Sequence, residues 1–177
     1  MDSTINLSSS SISVYSTCPR RFWFDKLSDF AKREFSSDAM DRGTLFHAGI
    51  AAALRQTDPK CNYQVALEAV TQLYQSGTGS VDEVDDALEM LRYYLDDLGI
   101  NTRNFAYKLN GVPMIEWEFD VDFHEFRLRG TIDAVIKDVN GKVYLVDWKT
   151  RQSFYADDVV ELDKQIYIYA AILKLEG

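Results

Sequence analysis

The segment Val143-Tyr144-Leu145-Val146-Asp147-Trp148-Lys149-Thr150 sets a carboxylate and an ammonium two residues apart at the end of an apolar run. Along an extended chain residues i and i+2 share a face, so Asp147 and Lys149 point the same way. A carboxylate there can hold a divalent cation. The neighbouring ammonium can polarise an attacking water or offset charge growing on a phosphate. The plain alternative is a surface ion pair at a strand end, a common and weak feature.

Asp133 weighs against that alternative. It falls inside the preceding apolar stretch, Gly130-Thr131-Ile132-Asp133-Ala134-Val135-Ile136. Aspartate is a poor strand former and costly to bury unpaired, so its bland reading is a place on the solvent face. The connection between the two strands sets the register. If Val139-Asn140-Gly141 form a three-residue loop with Gly141 left-handed, Asp138 faces Lys142 and Asp133 faces Asp147. If Asn140-Gly141 are a two-residue turn, Asp133 faces Trp148 on the other side of the sheet. In the first register two carboxylates are opposed on one face and repel unless a cation lies between them. A metal ion is the economical explanation.

The elements that must position these groups are legible from periodicity. Ser8 to Ser13 is a serine-rich lead able to cap a helix through Val14 to Thr17, and Pro19 interrupts that helix or starts the next. Asp41 is the expected cap of a helix carrying Phe46, Ile50, Ala53 and Leu54 on one face. Another helix runs through Ala66, Ala69, Val70, Leu73 and Tyr74 and breaks at Gly77-Thr78-Gly79. The next sets Val84, Leu88, Leu91, Leu95 and Leu98 on one stripe and ends at Gly99. These stripes read as packing faces. After Gly111 the period changes to two: Ile115, Trp117, Phe119, Val121 and Phe123 alternate with Glu116, Glu118, Asp120 and Asp122. Strands are expected there, over about 126–137 and over 143–149, followed by a helix holding Ile166, Tyr169, Ala170, Ile172 and Leu173.

Composition bounds the reading. A chain of 177 residues, 46% hydrophobic and 13% aromatic, suits one domain with a sizeable core. It is read as one domain, 1–177, with a mainly helical part over 1–110 and a β-meander with its following helix over 111–177. No apolar run is long enough to span a bilayer, so no membrane partner is expected. The start lacks the basic-then-apolar order of a signal peptide, and two cysteines are too few for a disulfide scaffold. A reduced, cytoplasmic or nucleoid-associated setting is the expectation. The net charge of −9 argues against a non-specific nucleic-acid coat protein. It leaves a metal-dependent enzyme open, because bound cations reverse the local sign of a carboxylate cluster.

The glycine-x-x-aspartate of Gly130–Asp133, a hairpin, and the Asp147-Trp148-Lys149 triplet together resemble the core of the PD-(D/E)XK nucleases, here without the proline of the name. Four more segments resemble the RecB-like branch, which includes CRISPR-associated nucleases of that type. Ser11 to Phe22 is similar to its SxSxxxxCPxxF segment and Arg42-Gly43-Thr44-Leu45-Phe46-His47 to its RGTxxH helix. Glu116 matches the glutamate opening its first core strand, and Gln165-Ile166-Tyr167-Ile168-Tyr169 its QxxxY helix. The set runs in order over residues 11 to 169.

The resemblance implies an α/β, restriction-endonuclease-like fold: a mixed central sheet nucleated by a three-strand meander and flanked by helices. It implies that Asp133 and Asp147 bind Mg²⁺ or Mn²⁺, with His47 a further ligand and the Trp148 carbonyl completing the shell. Lys149 would serve the attacking water and Glu116 support the site. Gln165 and Tyr169 would face the metal centre and, with Arg20, Arg21 and Arg42, hold DNA. Read without the resemblance, His47 is a packed histidine and Gln165 and Tyr169 are ordinary helix positions. Some RecB-like nucleases also hold an iron–sulfur cluster, which needs four thiolates. Only Cys18 fits that pattern and Cys61 falls outside it, so no cluster is expected from this chain, unless a C-terminal segment continues it.

The expected function is metal-dependent hydrolysis of DNA, exonucleolytic and on single strands or ends, in recombination, repair or processing, with a helicase or recombination protein as the partner class. The alternatives are a non-catalytic DNA- or partner-binding module on the same fold, and a site-specific endonuclease.

Overall fold

The computed structural model describes residues 5–28, 38–56, 62–97, 104–150 and 164–176. They fall into two compact units. The first contains β1 (Ile5–Leu7), α1 (Ser9–Thr17), α2 (Pro19–Phe22) and α6 (Lys164–Glu176). The second contains α3 (Asp38–Leu54), α4 (Asn62–Gln75), α5 (Val81–Arg92), β2 (Asn104–Ala106), β3 (Lys108–Leu109), β4 (Val112–Pro113) and β7 (Val143–Val146). Two long strands run through both. β5 (Ile115–Phe123) passes from the second unit to the first after Trp117, and β6 (Phe126–Asp138) returns to the second at Asp133.

β6 organises the five-stranded sheet: β1, β2, β5 and β7 all pair with it. In the first unit β1 lies parallel to its opening residues, Ile5 beside Phe126 and Leu7 beside Leu128. In the second unit β2 and β7 are antiparallel to its closing half. The sheet is therefore mixed, as expected. Residues 132–136 are buried without interruption, the mark of a strand covered on both faces.

In the first unit Ser8 caps α1, its hydroxyl accepting from Ser11 N while Ser11 Oγ accepts from Ser8 N. Pro19 starts α2, where its missing N–H is harmless. Phe119 lies over Gly130; a Cβ on Gly130 would meet the ring's Cζ at 2.7 Å, so the glycine is required by close approach. In the second unit Leu45, Ile50 and Ala53 of α3 pack with Val70 of α4 and Leu91 of α5, and Ile115, Ala134, Ile136 and Trp148 belong to the same core.

Several boundaries differ from the sequence reading. α3 begins at Asp38, so Asp41 lies inside it rather than capping it. The stripe helix ends as α-helix at Arg92 and continues as a π-helical turn over Tyr93–Asp97; Leu98, Gly99 and Cys61 lie outside the described residues. β1 and β2 were unforeseen because three-residue strands carry too few alternations to register. β3 and β4 join through Asn110 (φ 52°) and Gly111 (φ 84°), both left-handed as a primed two-residue turn requires.

The second Asn-Gly pair behaves differently. Asp138 N donates to Lys142 O (2.9 Å) and Gly141 N to Asp138 O (3.0 Å), closing a three-residue loop with Gly141 at φ 86°. The ladder pairs Ala134 with Val146 and Lys137 with Val143, so the next pair inward is Asp133 with Asp147. Asp138 is why this loop wins, since its carboxylate caps the N–H groups of Asn140 (2.9 Å) and Lys142 (2.8 Å). Replacing Gly141 by alanine forces a Cβ into the left-handed region, at a cost of about 1–2 kcal/mol. Urea unfolding of Gly141→Ala is expected to show a lowered midpoint with an unchanged slope. An unchanged midpoint would mean that the register rests on something other than this loop.

Candidate metal centre

The centre is assembled within the second unit from four elements. Asp133 comes from the covered part of β6 and is itself 8% exposed. Its Oδ2 accepts the main-chain N–H of Trp148 at 2.7 Å. This bond explains why β7 stops at Val146 and not at Lys149 as expected: the N–H that would extend the ladder is taken by a side chain. Asp147 to Thr150 leave the strand there.

His47 projects from α3 to the same point. Its Nε2 lies 3.1 Å from the Trp148 carbonyl, which can only accept, so Nε2 carries the hydrogen and donates. In the neutral ring the other nitrogen, Nδ1, then holds the lone pair. That nitrogen is 3.5 Å from Glu116 Oε1 and 3.7 Å from Asp133 Oδ1. The ring thus faces the carboxylates of Glu116 and Asp133. The Trp148 carbonyl, expected in the metal shell, serves here as the acceptor that orients His47.

Glu116 is the residue that periodicity alone left among four acids. An uninterrupted strand would set it with Glu118 and Asp120 on the exposed side. Its backbone is left-handed instead, φ 47°, a conformation that costs a non-glycine residue about 1–2 kcal/mol. Oε1 is buried and makes no hydrogen bond of acceptable geometry, despite the 3.5 Å approach of His47. His Nδ1 and one oxygen each from Glu116 and Asp133 lie within 4.8 Å of one another. A divalent cation fits this donor set: an imidazole fixed through its other nitrogen, two carboxylates, and a buried oxygen lacking a hydrogen-bond partner.

Asp147 follows directly on β7, and its charge helps raise the Asp133 pKa, but it is not one of these three converging ligands. Its side chain, 5% exposed, is paired with Lys149 Nζ at 2.7 Å. The pair forms beyond the end of β7, and the ammonium lines the cleft beside the cluster. An open cleft of about 880 Å³ adjoins them, lined by Gly43, Thr44, Ala51, Arg55, Glu116 and Lys149 among others. Arg55 was not singled out from the sequence; an arginine just past a helix end carries no signal there.

The remaining expected residues are placed as follows. Gln165 Nε2 donates to the Tyr169 hydroxyl at 2.7 Å, one helical turn apart, and the Tyr169 ring packs on Phe119 with centroids 5.9 Å apart. Arg21 pairs with Asp25 (3.2 Å) and Arg20 lies over Phe24 (5.9 Å). These four belong to the first unit. Arg42 belongs to the second, where it pairs with Asp86 at 3.0 Å.

A mixed sheet with flanking helices, and an acid–histidine cluster drawn from a helix and two neighbouring strands, define a restriction-endonuclease-like α/β protein with a candidate divalent-metal centre. The family model of the PD-(D/E)XK nuclease superfamily matches residues 6–177, and the chain belongs to that superfamily of metal-dependent nucleases. No curated protein matches the chain.

The close approach of the Glu116 carboxylate raises the His47 pKa most strongly; burial opposes it, and the charge of Asp133 and the Trp148 carbonyl add to it. Burial pushes Asp133 up, against the Trp148 N–H and His47, while Asp147 and Glu116 push it further. Both groups have folded pKa values above their unfolded ones. Their contribution to stability is therefore complete below the unfolded value, about 6.5 for histidine and about 3.9 for aspartate, and is lost as pH rises through the folded value. In chelator-treated protein the melting temperature is expected to fall as pH rises from about 6 through the His47 transition. His47→Gln should flatten that segment. Mn²⁺ affinity should move the opposite way, rising over the same window, because coordination needs the neutral ring. A wild-type melting profile that stays flat above about pH 6 would show that His47 is not coupled to the carboxylates.

Proposed function

We propose that this domain hydrolyses DNA phosphodiester bonds with Mg²⁺ or Mn²⁺ held by His47, Glu116 and Asp133, and that Asp147 joins them from its place opposite Asp133. The observation that carries the reading is the convergence of His47 Nδ1 with the two carboxylates beside an ammonium-bearing cleft. A divalent cation there supplies Lewis-acid stabilisation of charge on a phosphate oxygen and eases deprotonation of water.

The chain's own residues do the rest. Trp148 holds Asp133 through its N–H and His47 through its carbonyl, so two ligands are preorganised by one peptide segment. Asp147 keeps the Lys149 ammonium at 2.7 Å, beside the place where a scissile phosphate would lie. Lys149 is proposed to act on the attacking water or on the charge of the pentavalent state, an interaction stronger in the transition state than in the ground state. Gln165 and Tyr169, with Arg20, Arg21 and Arg42, are the proposed DNA contacts.

Action on single strands and ends, and a place in recombination or repair with a helicase partner, rest on the resemblance of the ordered segments to the RecB-like branch. A reduced, cytoplasmic or nucleoid-associated setting rests instead on the two cysteines, too few for a disulfide scaffold.

Lys149→Ala is expected to lower the cleavage rate by about 10²–10³ while Mn²⁺ binding persists. Because the substitution removes the Lys149 ammonium from the buried Asp147 carboxylate, the melting temperature must be recorded alongside. Near wild-type cleavage by a folded Lys149→Ala protein would remove Lys149 from the chemistry.

On the substrate side, end-labelled linear DNA should be degraded with Mn²⁺ and covalently closed circles left intact. Cut circles would point to an endonuclease. No cleavage of either form, by a protein that binds Mn²⁺, would favour a binding module.

A further inference from the structure

Glu116 reaches the centre only through a backbone conformation that its own side chain does not favour. Something outside the strand must hold it, because strained residues persist where their surroundings over-determine them. The φ angle of Glu116 describes how its Cα is turned relative to the Ile115–Glu116 peptide. The oxygen of that peptide, Ile115 O, accepts a hydrogen bond from Arg55 Nη2 at 3.0 Å. Sixty residues separate the two in sequence. Ile115 itself is 3% exposed, so the carbonyl is anchored on one side by the core and on the other by the guanidinium.

Arg55 follows directly on the end of α3, the helix that carries His47 two turns earlier. Arg55 and Glu116 line the same cleft, yet among the described residues the guanidinium makes no ion pair with any carboxylate. Its charge is spent on a main-chain acceptor, where a charge-assisted bond is stronger than a neutral one.

We infer that Arg55 is a positioning residue for the metal centre: it holds the Ile115–Glu116 peptide so that the left-handed Glu116 presents its carboxylate to the ion bound by His47 and Asp133. α3 then supplies one ligand directly and sets a second at a distance. Loss of the Arg55 bond frees the peptide to rotate, and Glu116 relaxes toward the exposed side of its strand. The inference rests on the proposed metal centre.

The test is Mn²⁺ binding measured by calorimetry, without DNA, on wild type, Arg55→Met, Glu116→Gln and the double variant, with circular dichroism to check folding. Arg55→Met should weaken Mn²⁺ binding about tenfold to a hundredfold, as loss of a supporting contact does. The double variant should bind no more weakly than Glu116→Gln alone, since Arg55 acts through Glu116. Arg55→Lys, which keeps a donor and the charge, should recover part of the loss and serves if Arg55→Met does not fold. Wild-type affinity in a folded Arg55→Met protein, or in Arg55→Lys and Arg55→Met alike, overturns the inference while leaving the metal centre standing. So does a double variant whose losses multiply, because Arg55 would then act independently of Glu116. Absence of Mn²⁺ binding by wild type overturns the metal centre itself.

Discussion

The hydrogen bond from Trp148 N to Asp133 Oδ2 is the constraint on which the rest of the site depends. A buried carboxylate needs donors, and on a central strand the main-chain donors are already used in ladders. Asp133 obtains one by ending the neighbouring strand. The chain released at Asp147 then carries three functions in succession: a carboxylate opposite Asp133, a main-chain segment that grips two ligands, and an ammonium beside them. The indole of Trp148 lies in the core of its unit, packed edge-on to Tyr94 and His47, so the gripping segment is itself anchored.

The electrostatics follow from this arrangement. Asp133 and Glu116 bring two carboxylates near one point with the charge of Asp147 acting on Asp133, and the acid on the covered strand is driven toward protonation by burial. His47 answers by holding its proton more tightly. A cation in the centre would replace that proton and satisfy the buried Glu116 oxygen together with the Asp133 oxygen beside it. The overall charge of −9 is then no obstacle to a polyanionic substrate, since the sign at the reacting point is set locally.

The centre also shows how a β-meander and a helical half are made to depend on each other. β6 and the segment after β7 present Asp133, Asp147 and Lys149, but α3 supplies His47, and the Arg55 contact joins the end of α3 to the start of β5. Each contact is a directional hydrogen bond and not mere apposition, so small shifts of α3 within its unit would be felt at the ligands.

Much of the site was legible in the sequence because it obeys local rules. Period-two alternation marked the strands, and Gly141 with its loop chemistry fixed the register of β7 on β6. The ordered motifs named the superfamily, to which the chain belongs. Those inferences need only neighbours a few residues apart. What periodicity left open was decided by contacts between distant residues. Which acid of β5 turns inward depends on one backbone angle at Glu116 and on an arginine sixty positions earlier. Which nitrogen of His47 is free depends on the Trp148 carbonyl, 101 positions away. The place where β7 ends, and hence the pairing of Asp147 with Lys149, depends on a side chain of another strand taking a ladder donor. Alternation, caps and turns are properties of a short stretch of chain; a ligand's aim is a property of everything packed around it, and only the folded chain assembles that.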